Sequence, residues 1–179
     1  YGANNPPLTY TIAGFVNSEN SSVVNGTPGL STSADNSSVP GVYPITVNVT
    51  PLTAANYIFT PVNGTLTVGL TSQAITFPAI TNKTYGDAAF TLSATSSSTL
   101  AVSYSVVSGP ATISGNTVTI TGAGSVTIAA DQAGNGNYSP ATQATQTFSV
   151  AKATLTVTAN DKNRAYKQTN PTPDYTITG

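Results

Sequence analysis

Apolar and polar residues alternate along this chain with a period of two. Leu8, Tyr10 and Ile12 are separated by Thr9 and Thr11, and Tyr43, Ile45, Val47 and Val49 by Pro44, Thr46 and Asn48. The same alternation runs through Leu66–Val68, Ile75–Phe77, Val102–Tyr104–Val106, Val126–Ile128–Ala130 and Leu155–Val157–Ala159. Each run sets apolar side chains on one face and Thr, Ser or Asn on the other, the pattern of half-buried strands in antiparallel sheets. Thr on the wet face keeps strand propensity without adding charge. Helical periodicity is nearly absent. Ile113-Ser114-Gly115-Asn116-Thr117-Val118 predicts a tight hairpin, because Gly and Asn both tolerate positive φ. Gly41, Gly122 and Gly124 fall where strands begin. Pro44 has no N–H to give a ladder, which places it on a sheet edge. Turn-forming residues recur at about the 8–12-residue spacing of β-sandwiches. The predicted fold class is all-β: tandem immunoglobulin-like antiparallel β-sandwich modules.

The chain also repeats itself. Residues 166–179 lie over residues 1–14 without a gap, matching at Tyr1/Tyr166, Asn5/Asn170, Pro6/Pro171, Tyr10/Tyr175, Thr11/Thr176, Ile12/Ile177 and Gly14/Gly179. The offset is constant at 165 residues. A shorter period of 81 residues lies inside it: Asn82-Lys83-Thr84-Tyr85 recurs as Asn163-Arg164-Ala165-Tyr166, and Ala55-Asn56-Tyr57 as Gly136-Asn137-Tyr138. The expected organisation is therefore a first module over 1–69 without its opening strand, a second over 70–150, and the first strands of a third over 151–179. Such self-similarity marks one period of a longer array. Repetition suits tasks that scale with copy number, such as length, multivalency and fibre formation.

Composition narrows the function further. Only 6% of the 179 residues are charged, with a net charge of −1, against about a quarter in ordinary soluble domains. Disorder does not fit, because β-branched residues recur throughout. Five scattered Lys and Arg cannot form a basic stripe for nucleic acid. No apolar run approaches the roughly 20 residues that span a bilayer. Cys and His are both absent, which removes disulfides, thiolate nucleophiles, the commonest general base and the commonest metal ligands together. With few titrating groups, the chain should respond weakly to pH and salt.

Candidate chemistry is sparse. Glu19, Asp35, Asp87, Asp131, Asp161 and Asp174 are the acidic residues, and no two are neighbours. No acid/base dyad follows from them. Asp131-Gln132-Ala133-Gly134-Asn135-Gly136-Asn137 has alternating oxygen side chains but one carboxylate, so it reads as a turn rather than a calcium loop. No catalytic, cofactor-binding or metal-binding residue is expected. Tyr57 and Tyr138 hold equivalent positions, which points to a structural task such as a hydroxyl bonded to backbone at a sandwich corner. Leu155 and Val157 belong to the strand that the first module lacks. With Tyr1, Tyr10, Tyr57, Tyr138, Tyr166 and Tyr175 they form the expected structural and assembly set.

Tyr1-Gly2, the run from Pro7 to Phe15, Gly41-x-Tyr43-Pro44-Ile45, Ala55-Asn56-Tyr57 and Val62-Asn63-Gly64-Thr65-Leu66-Thr67-Val68 resemble the MBG repeat of the Tyr-Gly-x type. The segment from Ala151 onward resembles it too, with Lys167 where the family has Gly. Residues 70–150 are similar to the Ig-like repeats that accompany such units, through Ile75-Thr76-Phe77, Lys83-Thr84-Tyr85-Gly86-Asp87 and the segment from Ala133 to Tyr138. The resemblance implies a tandem segment of a giant secreted or surface-attached bacterial protein: an adhesin stalk or extracellular fibre without enzymatic activity. Its implied partners are neighbouring copies of the same repeat, joined covalently or by strand donation from residues 151–179, with surface glycans and other cells as further candidates. A carbohydrate- or protein-binding module is the alternative, and its mark would be clustered exposed aromatics.

Overall fold

The computed structural model describes residues 1–179. They form two compact units, Tyr1–Gln73 with Ala133–Ala141, and Ala74–Gln132 with Thr142–Gly179.

The first unit is built on an antiparallel sheet of three strands, β1 (Gly29–Thr32), β2 (Gly41–Asn48) and β3 (Gly64–Val68), with β2 in the middle. The register sets Leu30 opposite Val47, Thr32 opposite Ile45 and Tyr43 opposite Leu66. Directly opposed residues share a face, so Leu30, Tyr43, Ile45, Val47 and Leu66 make one apolar surface. On the other face Ser31 and Thr46 join hydroxyls across the strands at 2.7 Å. Pro44 is not on an edge strand, contrary to the sequence expectation. It lies in central β2 opposite Thr65. Pairing with β1 ends at Ile45, so on that side Pro44 has no ladder to interrupt.

The second unit contains β4 (Ile75–Thr76), β5 (Lys83–Thr84), β6 (Phe90–Thr91), β7 (Thr95–Ser96), β8 (Ser103–Ser108), β9 (Ala111–Ser114), β10 (Thr117–Ile120), β11 (Gly124–Asp131), β12 (Ala144–Ala151), β13 (Thr156–Ala159) and β14 (Tyr175–Thr178). A four-stranded sheet in the order β5-β12-β11-β8 and a three-stranded sheet in the order β6-β10-β9 carry the core, with β4-β7 and β13-β14 as separate pairs. Val126, Ile128 and Ala130 of β11 are fully buried, as is Val118 of β10, and they cluster with Phe77, Leu92, Phe148 and Val150. The period-two reading of β11 is thus met by a buried face. Phe90 meets Phe148 edge to face at 5.7 Å, a geometry that adds to simple burial. Thr127 and Thr147 join hydroxyls at 2.9 Å on the far side of the β11–β12 pair.

Two details depart from a purely antiparallel sandwich. Strand β5 runs parallel to β12, with Lys83 beside Val150. It is held there because Asn82 Oδ1 accepts from the Ser149 amide at 2.9 Å and Tyr85 N–H donates to Ala151 O at 2.8 Å. The β8–β11 register also slips between Thr127 and Ile128, so Val107 is an extra residue and the strand bulges. The predicted hairpin forms as β9 and β10, with Ser114 opposite Thr117. Only Gly115 takes positive φ, 60°; Asn116 instead receives the Leu92 amide on its carbonyl at 2.8 Å.

Leu8–Ile12, expected as a strand, forms none. Propensity is not the reason. The repeat-equivalent stretch carries the same Tyr-Thr-Ile and is strand β14, because β13 lies beside it with Val157 opposite Ile177. A strand exists only where a second backbone completes the ladder.

Gly109 sits where the chain leaves β8 for β9 in the other sheet. Its φ is +98°, and a Cβ built there would come within 2.2 Å of Ser125 O. Gly109→Ala should therefore cost at least about 2 kcal/mol, from positive φ plus the backbone clash. Ile128→Ala, which empties a fully buried site, should cost about 2–5 kcal/mol. Urea unfolding of both variants against the parent checks these values; a loss under about 0.5 kcal/mol for either contradicts the packing described.

Candidate assembly interface

The apolar face of the β1–β2–β3 sheet opens on a cavity of about 700 Å³. Leu30, Ile45 and Val47 form its floor, and Thr9–Gly14 and Tyr57–Val62 form its walls. Tyr57 fixes one end. Its ring meets Phe15 edge to face at 5.7 Å. Its hydroxyl accepts from the Val16 amide at 3.2 Å and donates to the Glu19 carboxylate. The bond donated to Glu19 raises the Tyr57 pKa above the ordinary tyrosine range, against a smaller lowering by the Val16 N–H. Asn5 ties the start of the chain down, donating from Nδ2 to Ala34 O at 2.5 Å, while Gly2 N–H donates to Asn36 O at 3.1 Å.

Tyr1 and Tyr138 meet edge to face at 5.7 Å within this unit. The Tyr1 amine donates to Gly69 O at 2.8 Å, and the Thr71 hydroxyl donates to Tyr1 O. Tyr138 is presented by an Asx turn: Asn135 Oδ1 accepts from the Asn137 and Tyr138 amides at 2.8 and 3.0 Å. The turn expected in this segment forms around the Asn137 and Tyr138 amides. Tyr57 and Tyr138 are equivalent in sequence but placed differently, since Tyr57 acts through its hydroxyl and Tyr138 through its ring. Tyr104, not singled out from sequence, is another tyrosine whose hydroxyl meets backbone, accepting from the Ala94 amide at 2.8 Å.

The β13–β14 hairpin of the second unit presents a bare apolar face. Val157 opposes Ile177 and Ala159 opposes Tyr175, so these four side chains and Leu155 share one side. Leu155 is 66% exposed, Val157 63%, Tyr175 64% and Ile177 53%. Tyr166, also expected in the assembly set, is exposed, with Lys167 Nζ 5.4 Å from its ring centre. The hairpin's shape is kept by polar contacts instead. Asp174 accepts from Lys162 Nζ at 2.5 Å and from Asn160 Nδ2 at 2.8 Å, and Thr176 donates to Asn160 Oδ1 at 2.9 Å. The bond from Lys162, then that from Asn160, lowers the Asp174 pKa below the usual carboxylate range.

Sequence reasoning missed Asn5, Glu19 and Lys162. The first has a signal, its recurrence as Asn170; the other two act through contacts that no local pattern marks. Asp131, read as lying outside the strands, in fact closes β11 and accepts from Gln143 Nε2 at 2.8 Å. Lys83 lies 4.8 Å over the Phe90 ring, a cation–π contact. No helix is long and apolar enough to cross a membrane.

Two units of largely antiparallel sheet, an apolar cavity and a hairpin with an exposed apolar face define an all-β protein. Residues 1–67 match the family model of the MBG domain, YGX type, in agreement with the resemblance read from the same residues. That family is a structural repeat domain typical of extracellular and surface proteins. The match ends at residue 67, so the second unit stands on its fold. A comparison with curated proteins finds no match.

Tyr57 and Asp174 give pH signatures. Tyr57 has a raised pKa, so its bond to Glu19 contributes below the unfolded tyrosine value of about 10. That contribution is lost as pH rises through the folded value. Tyrosinate absorbance should show a late-ionising tyrosine, and Glu19→Gln should move it down; an unchanged titration curve refutes the contact. Asp174 has a lowered pKa, so its contribution is present above the unfolded carboxylate value of about 4 and is lost as pH falls through the folded value. Amide exchange in β13 and β14 should accelerate in that acid window in the parent, and Asp174→Asn should abolish the pH step; parent exchange flat across it argues against the staple.

Proposed function

We propose that this chain is one period of a tandem-repeat region in a large bacterial extracellular protein, serving as an adhesin stalk or surface fibre. The observation that carries the reading is the gapless overlap of residues 166–179 on residues 1–14, seen beside the match of residues 1–67 to a structural repeat family. Length and spacing are the products of such a segment. The low charge supports this reading, because modules linked by hydroxyl and apolar contacts keep their geometry across salt and pH. A second reading is a filament of separate subunits joined by strand donation from residues 151–179. The exposed apolar face of β13–β14 favours it, since edge strands with apolar faces pair readily.

The two readings separate by mass. One period weighs 18.0 kDa. In the tandem reading, the native polypeptide on a denaturing gel runs at several times that mass. A native chain near the mass of one period overturns the array and leaves the strand-donated filament.

A further inference from the structure

We propose that the cavity of the first unit is the seat of residues Leu155–Ala159 from another copy of this period, so that one folded sandwich straddles each period boundary. The inference rests on the repeat reading above and names the partner surface it requires.

The chain carries two versions of the same segment in different surroundings. Tyr175–Thr178 pairs with β13, whereas its equivalent Tyr10–Ala13 forms no strand. Tyr10–Ala13 lines the cavity. Carrying the β13–β14 register across the 165-residue offset places Val157 opposite Ile12 and Ala159 opposite Tyr10. Five residues of strand extend about 17 Å, enough to run the length of the Tyr10–Gly14 wall. The apolar side of the donated strand, Leu155, Val157 and Ala159, then faces Leu30, Ile45 and Val47 across the cavity. The Thr156 and Thr158 side chains stay in water, as do the threonines of the other strands. Charge places no obstacle, because neither the segment nor the cavity lining contains a charged side chain.

Two sources can supply the strand. In a covalent array residues 166–179 are the next period's counterpart of residues 1–14, and the β13–β14 hairpin is already the upper layer of that period's sandwich. Between separate chains, β13 exchanges its own β14 for Tyr10–Ala13 of a neighbour.

A reordered chain tests the proposal directly: residues 151–165 followed by residues 1–150, so that Ala165 precedes Tyr1 as it precedes Tyr166 in the native order. The protein has no native Cys. Val157→Cys with Ile12→Cys in the reordered chain should close an intramolecular disulfide on mild oxidation. Thr158→Cys with Ile12→Cys, on opposite faces, should not. Without cysteines, the reordered chain should protect the Thr11 and Ala13 amides, whose counterparts Thr176 and Thr178 stand in hydrogen-bonded pairs with β13, at least about ten-fold more than the native order, which covers the case of a cysteine pair that fails to fold. In the second arm, native-order chains carrying Ile12→Cys or Val157→Cys are mixed and oxidised. An interchain disulfide shows donation between chains; closure in the reordered chain alone assigns the strand to the preceding covalent period. Equal rates for test and control pairs, with Thr11 and Ala13 exchange unchanged, overturn the seat. That result leaves the tandem reading standing, because the latter is decided by native mass.

Discussion

A sheet with one apolar face cannot stand in water alone, and the cover that face requires governs this molecule. In the second unit the requirement is met within the chain. The face carrying Val126, Ile128, Ala130, Phe148 and Val150 packs with Val118, Leu92 and Phe77 until most of these side chains lose contact with solvent. Each of the larger side chains among them contributes about 1.5–3 kcal/mol on full burial. The first unit has the same kind of face on β1–β3, but its residues are half-buried and border a cavity. The difference in cover, rather than in composition, separates a closed core from an open one.

The wet faces follow from the same constraint. A strand that must alternate needs polar residues of high β propensity, and Thr and Ser meet that need without charge. They also pair across strands, as Ser31 with Thr46 and Thr127 with Thr147 do. The ladders are thereby reinforced on the outside by neutral bonds that salt screens little. Some of the few charges serve as local staples. Glu19 anchors Tyr57, and Lys162 pairs with Asp174 at the base of the hairpin. Fewer charges leave less long-range repulsion between like modules, which favours close stacking of copies.

The strands of the second unit were legible because each had an alternating run and a partner within reach. The β9–β10 turn was legible because Gly115 is needed for positive φ. The parallel seat of β5 was not, since it depends on Asn82 reaching Ser149 across 67 residues. Pro44 misled because the rule for proline in sheets assumes full ladders on both sides, whereas β1 stops at Ile45. Tyr57 bonds through its hydroxyl to the Val16 amide and to Glu19, and Glu19 sits in an irregular segment with no periodic signal. The two threads of the assembly set, Leu155–Val157 and Tyr10, were both visible as alternating runs. That Val157 and Ala159 share a face with Ile177 and Tyr175 needed the structure, because pattern shows which residues share a face and not what lies opposite.

A repeat in sequence and a repeat in folding need not share a frame. The sequence period can be cut anywhere, but the folding unit must begin and end where its ladders close. Here the Tyr-Thr-Ile stretch is paired when Leu155–Ala159 precedes it and unpaired when that segment lies elsewhere. On the strand seat proposed above, the smallest self-sufficient version of the first module would be a window of sequence beginning near Ala151, not near Tyr1. A window of that kind binds consecutive periods through backbone hydrogen bonds within one sheet as well as through a linker. Pulling such an array loads strands buried in a common core, whereas pulling modules that end at their sequence boundaries loads only the connecting loops. For any tandem array loaded end to end, the straddling frame would be the mechanically stronger one.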